Sequence, residues 1–88
     1  MDSATLQQLK DRFHKLQLLD NELNRSTNQK DRRKLIDKID DLKYQMIEEF
    51  DLMQYDKHIK NSTLDNHWFR VDISDIIDRI ESEPQLES

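Results

Sequence analysis

Apolar residues recur three and four positions apart in two long stretches of the chain. The first stretch contains Leu6, Leu9, Phe13, Leu16 and Leu23, and the second contains Leu35, Ile39, Leu42, Met46, Phe50 and Met53. Residues with this spacing lie on one face of an α-helix. The pattern therefore predicts two amphipathic helices, over about residues 4–24 and 27–56.

A polar break, Ser26-Thr27-Asn28-Gln29, separates the two stripes. Ser26 and Gln29 have the spacing of a capping box, so we expect the second helix to begin near Thr27. Asp2 or Ser3 is the expected N-cap of the first helix. A short turn between two helices favours antiparallel packing, so residues 1–60 are predicted to form an all-α, coiled-coil-like hairpin.

A further set of apolar residues lies on the opposite side of the predicted second helix. Leu52, Tyr55 and Ile59 are three and four positions apart, away from the main stripe. A helix that is apolar on two sides packs between two neighbours. One neighbour would be the first helix, and the other the C-terminal segment or a second copy of the chain.

The C-terminal segment, residues 61–83, fits two patterns. Phe69, Val71 and Ile73 alternate with polar residues, which is typical of extended chain, and Ser74 could cap a short helix after them. A continuous helix from Thr63 is the alternative, because apolar residues also recur there at helical spacing. A lone strand has no ladder partner, so we predict extended chain at 67–73 and then a short helix. A disordered tail is predicted for 84–88.

The small size of the chain predicts self-association. The 88 residues form one domain at most and include no cysteine, so no disulfide or thiolate metal site can stabilise the core. We expect the hairpin to dimerise into a four-helix bundle. The interface would be the broad stripe of the second helix, at Leu35, Leu42, Met46 and Phe50.

Composition argues against an enzyme. The chain has no glycine, so it can have no glycine-rich phosphate loop, dinucleotide fingerprint or nucleophile elbow. The three histidines lack metal-ligand spacing. The acids of the second helix alternate with Lys34, Lys38 and Lys43, which is typical of a solvated face. We expect no catalytic residue, metal, cofactor or small-molecule substrate.

The chain also shows no membrane signal. No apolar run approaches the length of a membrane span, and Met1-Asp2-Ser3 does not resemble the start of a signal peptide. We therefore expect a cytoplasmic protein that does not bind membranes.

The charge of −5 is concentrated at one end of the chain. Acidic and basic residues are equal in number, twelve each, through Leu64, and seven acids face two arginines after it. Such asymmetry suggests an acidic interaction surface. The predicted partner-binding residues are Trp68, Phe69, Asp72, Asp75, Asp78 and Tyr55. For Trp68, burial in the core remains the alternative to partner contact.

A cluster of basic residues surrounds the hairpin turn: Arg25, Lys30, Arg32, Arg33, Lys34 and Lys38. Cations at the start of a helix oppose the helix dipole, which suggests a functional reason for their presence. They could contact nucleic acid, an acidic protein or only solvent.

The sequence therefore predicts a small, non-enzymatic regulatory or adaptor protein that acts by protein–protein interaction, for example as an inhibitor or accessory factor. Nucleic-acid binding through the basic turn is the first alternative. A structural module that only self-assembles is the second.

Overall fold

The computed structural model describes residues 1–82, and within them every regular element is helical. Helix α1 spans Ser3–Arg25 and α2 spans Gln29–Glu49. A short 3-10 helix, Leu52–Gln54, is followed by α3, Ile59–Ser62, and α4, Asn66–Ser82. The prediction of an all-α fold built on a pair of long helices is confirmed. The tail predicted at 84–88 lies outside the described residues.

Both long helices begin at a side-chain cap. The Thr5 amide donates to Asp2 Oδ1 at 2.7 Å, which makes Asp2 the N-cap of α1 as expected. Asn28 caps α2 by accepting from the amides of Lys30 and Asp31, at 2.9 and 3.3 Å. The predicted capping box of Ser26 is wrong, because Ser26 terminates α1 and its amide donates to carbonyls of that helix.

Helix α2 ends at Glu49, about two turns earlier than predicted. Asp51 adopts a left-handed conformation with φ of 49°, and the chain turns there into the 3-10 helix. Leu52 and Ile59 are fully buried within the connection to α4. The prediction of a second apolar side on α2 is therefore wrong, since these residues belong to a segment that folds back onto the core.

Helix α4 is continuous, so the preference for extended chain at 67–73 is wrong and the helical alternative is right. Asp65 begins the helix, because its Oδ1 accepts from the amides of His67 and Trp68 at 2.8 and 3.1 Å. The apolar residues of this segment then share one face and bury it against the hairpin: Phe69, Ile73, Ile76, Ile77 and Ile80.

The three long helices pack side by side. Arg12 of α1 pairs with Glu49 of α2, so these two helices are antiparallel. Asn66, at the start of α4, bonds to Asp20 of α1, and Glu81 near its end pairs with Lys10, so α4 is also antiparallel to α1. The residues predicted to form a dimer interface, Leu35, Leu42, Met46 and Phe50, are all buried inside this one chain.

These residues were expected to need a second copy of the chain to bury them. Packing within one chain, including α4 and the connecting segment, buries them instead. Within residues 1–82, no helix is long and apolar enough to cross a membrane.

Candidate protein-interaction surfaces

The side of α4 that faces solvent carries a stripe of apolar and acidic residues, which we call the α4 outer face. It consists of Trp68, Val71, Asp75 and Asp78, which are three and four positions apart on the helix, together with Leu64 in the turn before it. Leu64, in the turn before the helix, is 90% exposed and Trp68 is 59% exposed. The His67 ring packs edge-on against the Trp68 indole, with centroids 5.4 Å apart. Tryptophan is highly buried on average in folded proteins, so an indole that is more than half exposed is unusual.

The acidic end of this face carries little compensating charge. Asp75 pairs with Arg79 at 2.7 Å, and both side chains are more than half exposed. Asp78 makes no ion pair with any residue in 1–82. Exposed pairs are weak, so the acidic end of the stripe remains available to a basic partner.

The other three predicted partner-binding residues are placed differently. Phe69 is fully buried and cannot contact a partner while α4 is packed on the hairpin. Asp72 accepts a hydrogen bond from the Ser62 hydroxyl, which ties α4 to α3. Tyr55 packs against the core, and its carbonyl accepts from Arg79 at 3.0 Å. Asp72 and Tyr55 therefore hold α4 in place.

The basic residues at the turn divide into one structural residue and five exposed ones. The Arg32 guanidinium donates to the carbonyls of Leu23 and Ser26, at 2.7 and 3.0 Å, and so caps the end of α1. The other five are exposed and form no ion pair with residues 1–82: Arg25, Lys30, Arg33, Lys34 and Lys38. Asn28 already occupies two helix-start amides that could otherwise bind a phosphate.

Replacing Arg32 by alanine is expected to lower the free energy of unfolding by about 1.5–3 kcal/mol, because two carbonyls lose a charged donor. Arg33→Ala is the matched control, since Arg33 is exposed, and should change stability by no more than about 0.5 kcal/mol. Urea denaturation of the two variants measures the difference. Equal stabilities would show that Arg32 does not act as a cap.

A buried polar network between the three long helices was missed by the sequence analysis. The Lys43 ammonium donates to the Thr63 carbonyl at 2.9 Å and to Asn66 Oδ1. Asn66 Nδ2 in turn donates to Asp20 Oδ1 at 3.0 Å, and Arg70 lies 3.3 Å from Asp20 Oδ2. Asp20 and Lys43 are both buried. Lys43 therefore lies in the core, and its assignment to a solvated face is wrong.

A signal for this network was present in the sequence. Asp20 lies four residues after Leu16 and three before Leu23, and Lys43 lies four after Ile39 and three before Met46. Both are charged residues at positions that the apolar stripe would fill. Charges at such positions need partners from other elements, and here they fix where α4 lies along the hairpin.

Burial lowers the pKa of Lys43 below its ordinary value of 10.5, while the carboxylates of Asp40, Asp20 and Asp65 oppose the shift. The folded state thus binds fewer protons at this site than the unfolded state when the pH lies between the lowered pKa and 10.5. The free energy of unfolding should therefore rise with pH in that interval.

Comparison with Lys43→Met isolates this contribution, because other ionisable groups affect both proteins alike. Wild-type protein should gain stability relative to Lys43→Met as the pH rises toward 10.5, the ordinary pKa of a lysine. Urea denaturation at several pH values measures the difference. A difference that is constant, or that falls as pH rises, would contradict the lowered pKa of Lys43.

Among residues 1–82, no group of three or more His, Cys, Asp or Glu side chains is arranged to hold a metal ion. Comparison with protein-family models, curated proteins and solved structures finds no match to this chain.

Proposed function

We propose that this chain is a non-enzymatic protein-binding module of the regulatory or adaptor kind, which acts in the cytoplasm through the α4 outer face. One observation carries the proposal. Trp68 and Val71 are exposed on one stripe of α4, and Leu64 is exposed in the turn before it, although the opposite face of α4 already buries five apolar residues. Exposed apolar residues three positions apart on a helix are typical anchors of a helix that binds in the groove of another protein.

The same stripe indicates the chemistry of the partner. The part of the stripe near the start of α4 is apolar and centred on Trp68, and tryptophan is enriched among the strongest contacts of interfaces. The part further along the helix is acidic, at Asp75 and Asp78. The partner should therefore have an apolar groove with basic residues at one end, and opposite charge should speed the encounter.

Capture of partners from the cells that make this protein tests the proposal. Trp68→Ala should lose the captured protein, whereas Leu18→Ala should retain it. Leu18 is a matched control, because it is an apolar side chain on α1 that is 51% exposed. The captured protein should then bind purified wild-type chain directly, and Asp78→Lys should weaken that binding. Equal capture by Trp68→Ala and wild type would refute the role of the α4 outer face.

The five exposed cations at the hairpin turn support a second candidate, direct binding of nucleic acid. None of them pairs with a carboxylate in residues 1–82, so their charge is free to act on an anion. Binding of labelled DNA or RNA should then weaken steeply with salt and be lost in an Arg33→Glu, Lys34→Glu variant. Absence of any shift at about 50 mM salt would rule this candidate out.

A further inference from the structure

The hairpin extends beyond the point where α4 begins. Asn66, the first residue of α4, bonds to Asp20, which lies five residues before the end of α1, and accepts from the ammonium at the end of the long Lys43 side chain of α2. Within residues 1–82, the last turn of α1 and the first turns of α2 therefore have no third helix beside them. At this end of the molecule, α1 and α2 extend past the first residue of α4 and form a two-helix projection.

The surface of this projection on the α4 side is apolar, and its edge is basic. Ile36 lies on the same side of α2 as Lys43, seven residues nearer the turn, or about 10 Å along the helix. Lys43 is buried under the start of α4, whereas Ile36 is 43% exposed. Lys30 and Arg33 border Ile36 in an open hollow. We call Ile36, Lys30 and Arg33 the tip shelf.

We propose that two copies of this chain pair around a two-fold axis, each placing the start of its α4 outer face on the tip shelf of the other. The proposal rests on the proposed function, because it names a second copy as one partner of the α4 outer face. The two surfaces match in polarity, since Trp68 would cover Ile36. They also match in charge, because Asp75 would approach Lys30 and Arg33.

The shape of the molecule favours this closed arrangement. The tip shelf lies on the side of α2 that carries Lys43 and meets the start of α4, and the α4 outer face lies opposite the buried face of that helix, with one edge bordering Phe13 and Gln17 of α1. Inverting a second copy therefore brings each shelf onto the other copy's α4. The two α4 helices would then meet at their starts, near the axis, where Leu64 of each copy would be covered by the other. Each contact is made twice, which closes the assembly at two chains.

The overlap is limited to the first turns of α4. The hairpin extends only about five residues of α1 beyond Asp20, or roughly 8 Å, whereas α4 is about 25 Å long. Trp68 and Val71 would be covered, the long side chains of Lys30 and Arg33 would reach along α4 to Asp75, and Asp78 would remain outside the contact. A partner protein that needs Trp68 would have to displace the second copy.

Sedimentation equilibrium of the full chain across about 1 µM to 1 mM tests the dimer. Wild-type protein should reach twice its monomer mass of 10.7 kDa and no more. Ile36→Glu should weaken association at least about tenfold, because it places a charge against Trp68. Leu18→Glu, on the exposed side of α1, should leave it unchanged. A wild-type protein that stays monomeric, or that grows beyond two chains, would overturn the proposal.

Charge exchange tests the pairing itself. Arg33→Glu and Asp75→Lys should each weaken the dimer, and the two substitutions in one chain should restore it, because both copies then carry the reversed pair. No restoration would overturn the assigned contact. Circular dichroism of each variant should remain that of the wild type, since all these positions are exposed.

Failure of this inference is distinguishable from failure of the proposed function. Ile36 lies outside α4, so a monomeric wild type whose partner capture still depends on Trp68 would refute only the second copy as partner. If Trp68→Ala changes neither self-association nor capture, the α4 outer face is not a binding surface.

Discussion

Replacing Asp20 by alanine is expected to lower the free energy of unfolding by about 3–5 kcal/mol, the largest effect we expect of any polar residue in the chain. The Asp20 carboxylate is buried, accepts from Asn66 and pairs with Arg70. Without it, Arg70 loses its only ion-pair partner among residues 1–82, and its Nε already lacks a hydrogen-bond partner there. Lys43, joined to the same network through Asn66, loses a nearby opposite charge as well.

Urea denaturation measures this loss, and two further variants interpret it. Asp20→Asn keeps the volume and one acceptor but removes the charge, so its stability should fall between those of wild type and Asp20→Ala. Asn21→Ala, at the neighbouring exposed position, should change stability by no more than about 0.5 kcal/mol. A loss below about 1 kcal/mol for Asp20→Ala would show that the network does not hold α4.

The location of the loss can also be predicted. Because the network joins α4 to the other two helices, Asp20→Ala should reduce amide-exchange protection in α4 more than in the α1–α2 pair. A double-mutant cycle of Asp20→Ala with Arg70→Ala should show coupling of about 0.5–3 kcal/mol. Additive effects of the two substitutions would mean that the 3.3 Å contact contributes little.

The helical hairpin could be predicted from the sequence, because the residues that determine its helices and its turn are close to one another in the chain. Apolar residues three and four apart fix one face of each helix, and the polar break between Arg25 and Gln29 fixes the turn. The cap was misassigned because Ser26 and Asn28 both carry a suitable oxygen. Only the length of the turn decides that Asn28 caps α2.

The end of α2 could not be predicted, because its cause is tertiary. Leu52, Tyr55 and Ile59 keep a helical spacing, and no glycine or proline interrupts the chain between Glu49 and Ile59. The reversal places Asp51 in the left-handed region, which aspartate tolerates better than most residues, and burial of the connecting segment favours it. A periodic pattern cannot show that burial.

The α4 outer face could be predicted only in part, because the side on which each residue lies depends on the segment being helical. Trp68 and Phe69 are adjacent, and neighbouring residues point about 100° apart on a helix, so at most one can face the centre of the core. Ile73 and Ile76, four and seven positions on, share the side of Phe69 and are buried with it. Until residues 67–73 were known to be helical, this comparison could not be made.

Replacing Phe69 by alanine should cost about 3–5 kcal/mol of stability, whereas Trp68→Ala should cost no more than about 0.5 kcal/mol. Phe69 is fully buried, and the Lys43 ammonium lies 5.7 Å from its ring centre, so truncation leaves a cavity and removes a cation–π contact. Trp68 is more than half exposed, and its indole contacts the exposed His67 ring edge-on.

The two substitutions should therefore separate stability from binding. Urea denaturation should detect Phe69→Ala, with Phe69→Leu as a milder control that retains most of the volume. Partner capture and self-association should detect Trp68→Ala, which stays folded. If Trp68→Ala destabilised the protein as much as Phe69→Ala does, the indole would be a core residue, and the α4 outer face would lose the anchor on which both binding proposals depend.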